Sequence, residues 1–280
     1  MHNLTFLAAV CNFLFIQMAA SVRNTYLPSY IYVVKPWTEY VWIMYLGITS
    51  MGLSILGPIA GLIHRRTHRY KSLMILGATI RLLGYGLLLD LDGKMTQSSA
   101  RLILAQVAYA FGSFNAIGVR VGSQASVPHS DLATLISLIT LVAGLGSSIG
   151  NAVSSAIWTN EMRDRIRHEL PQIDEKTLNK MYGNIRKLRS EYDLDDPIRQ
   201  GGIRAYAHVN GHIVIAGLVL SVVPLVASCF MPNYYLGKQQ NSVTNTGLGG
   251  ESVHVPGNNE GTSAPKVSRF RTWLAKHRGH

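Results

Sequence analysis

Four polar side chains, Gln106, Tyr109, Ser113 and Arg120, follow one another at steps of three, four and seven within an otherwise apolar stretch. On an α-helix those steps put all four on one face. A carboxamide, a phenol, a hydroxyl and a guanidinium can hold a solute by hydrogen bonds. They contain neither a nucleophile–base pair nor a metal-ligand set. Such a stripe is unfavourable against lipid, so it turns either to a solute path or to bonds with neighbouring helices. Arg81 lies near the middle of another apolar stretch. A cation at that depth costs about 2.5 to 3.5 kcal/mol and requires a carboxylate, carbonyls or water as partner. After Gln124 come Pro128, His129, Ser130 and Asp131, where Ser130 or Asp131 can cap the helix that follows.

The letters Gly146-Ser147-Ser148-Ile149-Gly150 match the G-x-S-x-G pattern of serine hydrolases. That pattern needs a strand-turn-helix elbow, and here it sits inside 27 apolar residues, so no enzyme is expected. Gly146 and Gly150 are instead expected to form a close-packing face with Gly144 and Ser154. No phosphate loop and no H-E-x-x-H pair occurs, and Cys11 and Cys229 both lie in apolar stretches. A disulfide framework, a thiolate metal site and a resident cofactor are therefore not expected.

The elements that position these residues are six apolar runs, residues 4–20, 40–63, 73–89, 102–121, 132–158 and 213–231. None of the chain's 15 carboxylates falls within them. Each run is near the roughly 20 residues that a helix needs to cross a bilayer. They are apolar nearly all round, unlike soluble helices, and in lipid their backbone groups must be satisfied within each helix. The fold class expected is an all-α membrane protein with six transmembrane helices. Small residues around Met18-Ala19-Ala20-Ser21 leave a signal peptide as an alternative for the first run, though no Lys or Arg precedes it.

The net charge of +11 is scattered, so a nucleic-acid partner is not expected. Arg65, Arg66, Arg69 and Lys71 crowd the connector after the second run, the cytoplasmic mark of the positive-inside rule. Both termini then lie inside, 21–39, 90–99 and 159–210 face out, and 122–131 faces in. Between Glu161 and Arg204, 10 Lys or Arg balance 9 Asp or Glu. Leu178, Met181, Ile185 and Leu188 recur there at helical spacing behind an expected N-cap at Asp174, which describes an outer helical lid. The domain division expected is residues 1–232 as the helical bundle, with 159–210 its outer loop, and 233–280 as a disordered, basic cytosolic tail. The mixed basic and aromatic end of that tail suits weak attraction to an anionic lipid surface.

The connector Gly57-Pro58-Ile59-Ala60-Gly61, followed by His64, Arg65, Arg66 and Arg69, resembles the loop between the second and third helices of each half of a major facilitator, without its usual acidic residue. The segment 121–134, Gly146 to Gly150, Ala156 to Asn160, Leu170-Pro171, Ala205-Tyr206 and Asn233 to Gly237 are similar to the fungal siderophore-iron transporter family of that superfamily. The likeness covers residues 4–241 and only the carboxyl-terminal half of such a transporter. It implies half of a major facilitator bundle, partnered by the bilayer and a missing amino-terminal half. It also implies proton-coupled import of a ferric siderophore, with iron as cargo only and plasma, endosomal or vacuolar membrane as location, the plasma membrane first.

By that resemblance the fourth helix lines the central cavity, so Gln106, Tyr109, Ser113 and Arg120 would face the substrate path. The third helix lies at the periphery, which directs Arg81 to interhelical bonding or snorkelling. Gln124, His129 and Asp131 become a cytosolic gate or proton relay, with His129 able to titrate near neutral pH. Export or exchange of another solute, such as glutathione or drugs, and a truncated membrane protein without transport are the alternatives.

Overall fold

The computed structural model describes residues 2–89, 98–128, 131–183, 189 and 191–236. Among them there is no strand, and six helical spans are long and apolar enough to cross a membrane. In chain order these are α1 (His2–Val34), α2 (Glu39–Thr67), α3 (Lys71–Leu88), α4 (Ser99–Ala110) with α5 (Gly112–Ala125), α6 (Leu132–Glu169) and α8 (Pro197–Phe230). The short α7 (Glu175–Gly183) lies between the last two. The chain is a multi-pass integral membrane protein.

Two helix ends differ from the sequence expectation. The region 21–39, expected as an outer loop, is helical through Val34, so Arg23 and Pro28 lie inside α1. Proline removes only one ladder bond, and the helix continues because Leu27, Tyr30, Ile31 and Val34 bury against the bundle. At the other end, Asp196 accepts from the Ile198 amide at 2.8 Å with Pro197 at the first helical position, and α8 begins there rather than at residue 213. The connection expected over 159–210 thus narrows to residues 170–196.

α1 is the hub and packs along α6 and α8; α3 packs on α4, α5 and α8, and α2 on α4 and α5. The α1–α6 seam is close. A Cβ at Gly146 or Gly150 would lie 2.3 Å from the carbonyl oxygen of Leu14 or Met18. Beside it, Ser21 meets Ser147 at 2.6 Å, Thr25 donates to Asn151 at 3.0 Å, and Tyr26 stacks on Trp158 with centroids 4.3 Å apart. Ser154 is buried in line with the two glycines, but nothing lies within 4 Å of a Cβ at Gly144, which is not part of the seam.

α7 sits on the main apolar cluster through Leu178 and Met181, each 2% exposed. Its first turn is capped by Asp174, which accepts from the Thr177 amide at 3.3 Å. Arg163 and Arg167 of α6 reach Glu175 at 3.4 and 2.7 Å. α7 is thus docked on the bundle. Ile185 and Leu188 lie outside the described residues, as do the tail 237–280 and most of 90–99.

α2 and α6 are the least buried spans. Ile43, Met51, Ile55 and Leu62 of α2, and Leu141, Leu145 and Ile149 of α6, are exposed. In water such surfaces would be costly at about 25 cal/mol per Å²; lipid or another apolar bundle removes that cost.

Candidate functional site

α1, α2, α3, α4 and α5 surround a cavity of about 400 Å³, lined among others by Arg23, Thr49, Arg81, Gln106, Tyr109 and Ala116. Arg23, Thr49 and Arg81 come from α1, α2 and α3, and Gln106 and Tyr109 from α4, so packing, not local sequence, assembles the site. Arg23 is 3% exposed and Arg81 6%.

Both guanidiniums approach the Tyr109 ring, Arg23 at 3.8 Å and Arg81 at 4.8 Å from its centroid. Arg23 donates to Gln106 Oε1 and, at 2.9 Å, to Asn24 Oδ1. Thr49 donates to the same Gln106 oxygen at 2.7 Å. Arg81 donates to the Ile16 carbonyl at 2.8 Å and the Tyr109 hydroxyl at 3.2 Å, while its Nε is buried without a partner. Gly112 leaves room for this arginine, because a Cβ there would fall 2.7 Å from Arg81 Cδ. Tyr85 supports Tyr109 from outside the lining, donating to the Ala19 carbonyl at 2.7 Å and meeting the Tyr109 ring edge-on.

Dipoles and π-faces solvate these two cations. Among the described residues neither meets a carboxylate, so the cavity carries two uncompensated positive charges. At an effective dielectric near 20, an anionic group about 4 Å from one of them gains about 4 kcal/mol of Coulomb attraction before desolvation. Such a pair of charges can attract oxygen ligands that carry negative charge. Cation–π contact of this buried kind holds the cations in place at about 2 kcal/mol each.

Of the four-residue stripe, Gln106 and Tyr109 line the cavity. The helix breaks at Phe111, after which the lining passes to Gly112 and Ala116. Ser113 is buried with an unpartnered hydroxyl, not lining, and Arg120 is exposed over Phe13 at 5.9 Å. Arg81 does make interhelical bonds as expected, and it lines the cavity as well.

Gln124 is half-buried near the end of α5. Asp131 occupies the N-cap position of α6 in a helical conformation and makes no capping bond, so the expected cap is not formed by its side chain. His129 and Ser130 lie outside the described residues.

The turn between α2 and α3 has another role. Arg65 and Arg66 are exposed, and His68 is left-handed at φ 51°. Arg69 donates to the Asn233 carbonyl at 2.7 Å, Tyr70 to the Pro232 carbonyl, and the Leu236 amide to the His68 carbonyl at 3.0 Å. Burial pushes the Tyr70 phenol well above its usual range, which keeps it a donor. This turn therefore clasps the segment after α8. Gly57 and Gly61 do not bring helices together: a Cβ at Gly57 meets only Ile117 at 3.4 Å, and at Gly61 nothing lies within 4 Å.

Sequence reasoning missed Arg23, Thr49 and a second polar centre. There Asn12 donates to the Pro224 carbonyl at 3.0 Å and to Ser228 at 2.9 Å, while Asn115 donates to Ser228 at 2.7 Å and to the Met74 carbonyl at 3.2 Å. Polar letters in apolar runs were the available signal, and Asn12 and Asn115 carried it without any shared spacing.

No family model matches this chain. Curated relatives do. Over 279 residues, 99% of the chain, it is 49% identical to a siderophore transporter of Zymoseptoria tritici, and covers 43% of that protein. Over 255 residues, 90% of the chain, it is 34% identical to siderophore transporter fer7 of Mycosarcoma maydis, covering 38%. Over 270 residues, 95% of the chain, it is 32% identical to low affinity heme transporter str3 of Schizosaccharomyces pombe, covering 41%. The chain thus spans about two-fifths of the length of these relatives.

Proposed function

Starting from its membership of the fungal siderophore-iron transporters of the major facilitator superfamily, the family to which this chain belongs, we propose that it supplies the carboxyl-terminal half of a secondary transporter for a ferric siderophore. The carrying observation is the cavity in which Arg23, Arg81, Gln106 and Tyr109 converge with two positive charges and, among the described residues, no carboxylate. Ferric hydroxamates present oxygen atoms bearing negative charge around the metal, and the guanidiniums and carboxamide offer donors to them. Iron is cargo, and no protein ligand to it is required.

Alternating access needs a second bundle that rocks against this one around a site near the midplane. The exposed apolar faces of α2 and α6 suit that role, with an amino-terminal half as partner and lipid on the remaining surface. Proton symport is part of this proposal, on the resemblance to the family. None of the six apolar runs contains an acid, so the coupling group belongs to the partner half or to the cytosolic rim, where His129, Gln124 and Asp131 would form a gate. The plasma membrane is the expected location.

Similarity to the heme transporter gives a second reading, since an iron porphyrin also carries carboxylates that the arginines could hold. A chimera in which this chain replaces its counterpart in the Zymoseptoria protein separates the two. Uptake of radiolabelled iron as a ferric hydroxamate, undiminished by excess hemin, supports the first reading. Uptake of hemin with no accumulation of the hydroxamate complex overturns it.

A further inference from the structure

At the end of the bundle opposite the Arg65–Arg69 turn, three side chains form a cluster that takes no part in the cavity. Glu161 stands on α6, and His208 and His212 stand one turn apart on α8. Their ligand atoms all lie within 4.8 Å of one another. Glu161 Oε2 is 2.6 Å from His212 Nδ1, and the two imidazole centroids are 4.6 Å apart. His208 Nδ1 is buried with no hydrogen-bond partner. All three residues are half-buried, so solvent ions can reach them.

The spacing of four on a helix puts both imidazoles on one face, and α6 brings the carboxylate across to them. Imidazole nitrogen with carboxylate oxygen is a donor set that suits zinc and neighbouring divalent transition metals. Zinc bonds of 2.0 to 2.2 Å place tetrahedral donors roughly 3.3 Å apart, between the shortest and longest separations seen here. Three protein ligands leave a fourth position for water. The neighbouring cation Arg165 does not compete for Glu161, because Glu169 holds it at 3.1 Å and also takes Arg204 at 2.9 Å.

We propose that Glu161, His208 and His212 form a binding site for a divalent transition-metal ion of zinc type, which clamps α6 to α8 at this end of the bundle. The site is independent of the transport reading, since it shares no residue with the cavity.

The test titrates zinc chloride into the full chain, purified in detergent without a polyhistidine tag, against a chromogenic chelator, and follows the unfolding temperature. The unsubstituted protein is expected to bind one tight equivalent and to unfold at higher temperature with zinc. His212→Gln and His208→Gln are each expected to weaken that equivalent by at least about tenfold and to abolish the thermal shift. Glu161→Gln, which keeps a hydrogen bond to His212, reads the same loss if a histidine variant fails to fold. His277→Gln/His280→Gln, in the tail, is expected to keep the equivalent. Absence of a tight equivalent, or the same affinity in the Glu161, His208 and His212 variants as in the unsubstituted chain, overturns the site. Binding without a thermal shift overturns the clamp.

Discussion

Replacing Gly146 by alanine tests the α1–α6 seam directly. The added Cβ would sit 2.3 Å from the Leu14 carbonyl oxygen, 3.1 Å from its carbon and 3.3 Å from its Cα. An ordinary carbon–oxygen approach is about 3.3 Å, so α1 and α6 must separate by about 1 Å, and backbone atoms cannot swing aside as a side-chain tip would. Overpacking of this kind costs about 1 to 3 kcal/mol. At about 2 to 4 °C per kcal/mol for a protein of this size, Gly146→Ala should unfold roughly 5 °C lower. Gly144→Ala is the internal control: its Cβ meets nothing within 4 Å, and alanine is the better helix former, so no loss is expected. Gly146→Ala with Gly150→Ala should cost less than the sum, because one separation relieves both clashes. The assay is thermal unfolding of the detergent-solubilised protein followed by fluorescence size exclusion. A Gly146→Ala protein that unfolds within about 1 °C of the unsubstituted chain, or a Gly144→Ala protein that loses as much, refutes the seam.

Two further outcomes follow from side chains elsewhere. Asn12→Ala removes two interhelical donors, to Pro224 and Ser228; at about 0.6 kcal/mol each in a membrane protein, it should lower stability by about 1 kcal/mol, and an unchanged unfolding midpoint would contradict the network. Accepting from Thr177 holds the Asp174 carboxyl below its ordinary value, so its support of α7 is complete above the ordinary aspartate range and fades as pH falls through the lowered value; hydrogen exchange across 176–182, corrected for intrinsic rates, should be protected at neutral pH and lose protection as pH is taken below that range, and Asp174→Ala should show the smaller loss left by the Glu175 pairs with Arg163 and Arg167, so an equal loss in both proteins would contradict the cap.

Six spans were legible because a carboxylate-free apolar run of about 20 residues has little other stable fate. Their ends were harder to read. Arg23 and Pro28 look like loop residues, yet burial of Leu27 and Ile31 keeps α1 helical past both. The Asp196-Pro197 cap was visible as a pair of letters, but the surrounding charge suggested surface, and the packing of Ile203, Tyr206 and Val209 that overrides it is not local. Of the stripe, Gln106 and Tyr109 line the cavity. The break at Phe111 moved the lining face off Ser113, and no periodicity announces such a break. The cavity depends on Arg23, Thr49, Arg81 and Tyr109 meeting from four helices, which spacing within one helix cannot reveal. The four-residue spacing of His208 and His212 was readable, although Glu161, 47 positions earlier, gains its meaning only when α6 and α8 pack.

The central claim is that the two buried guanidiniums hold the transported solute. In the Zymoseptoria chimera, Arg23→Met and Arg81→Met should each raise the KM for a ferric hydroxamate at least about tenfold at equal surface abundance, as expected when a hydrogen bond to a charged group worth about 1.5 to 3 kcal/mol is lost. Uptake by both variants with KM within about twofold of the parent chimera would contradict it.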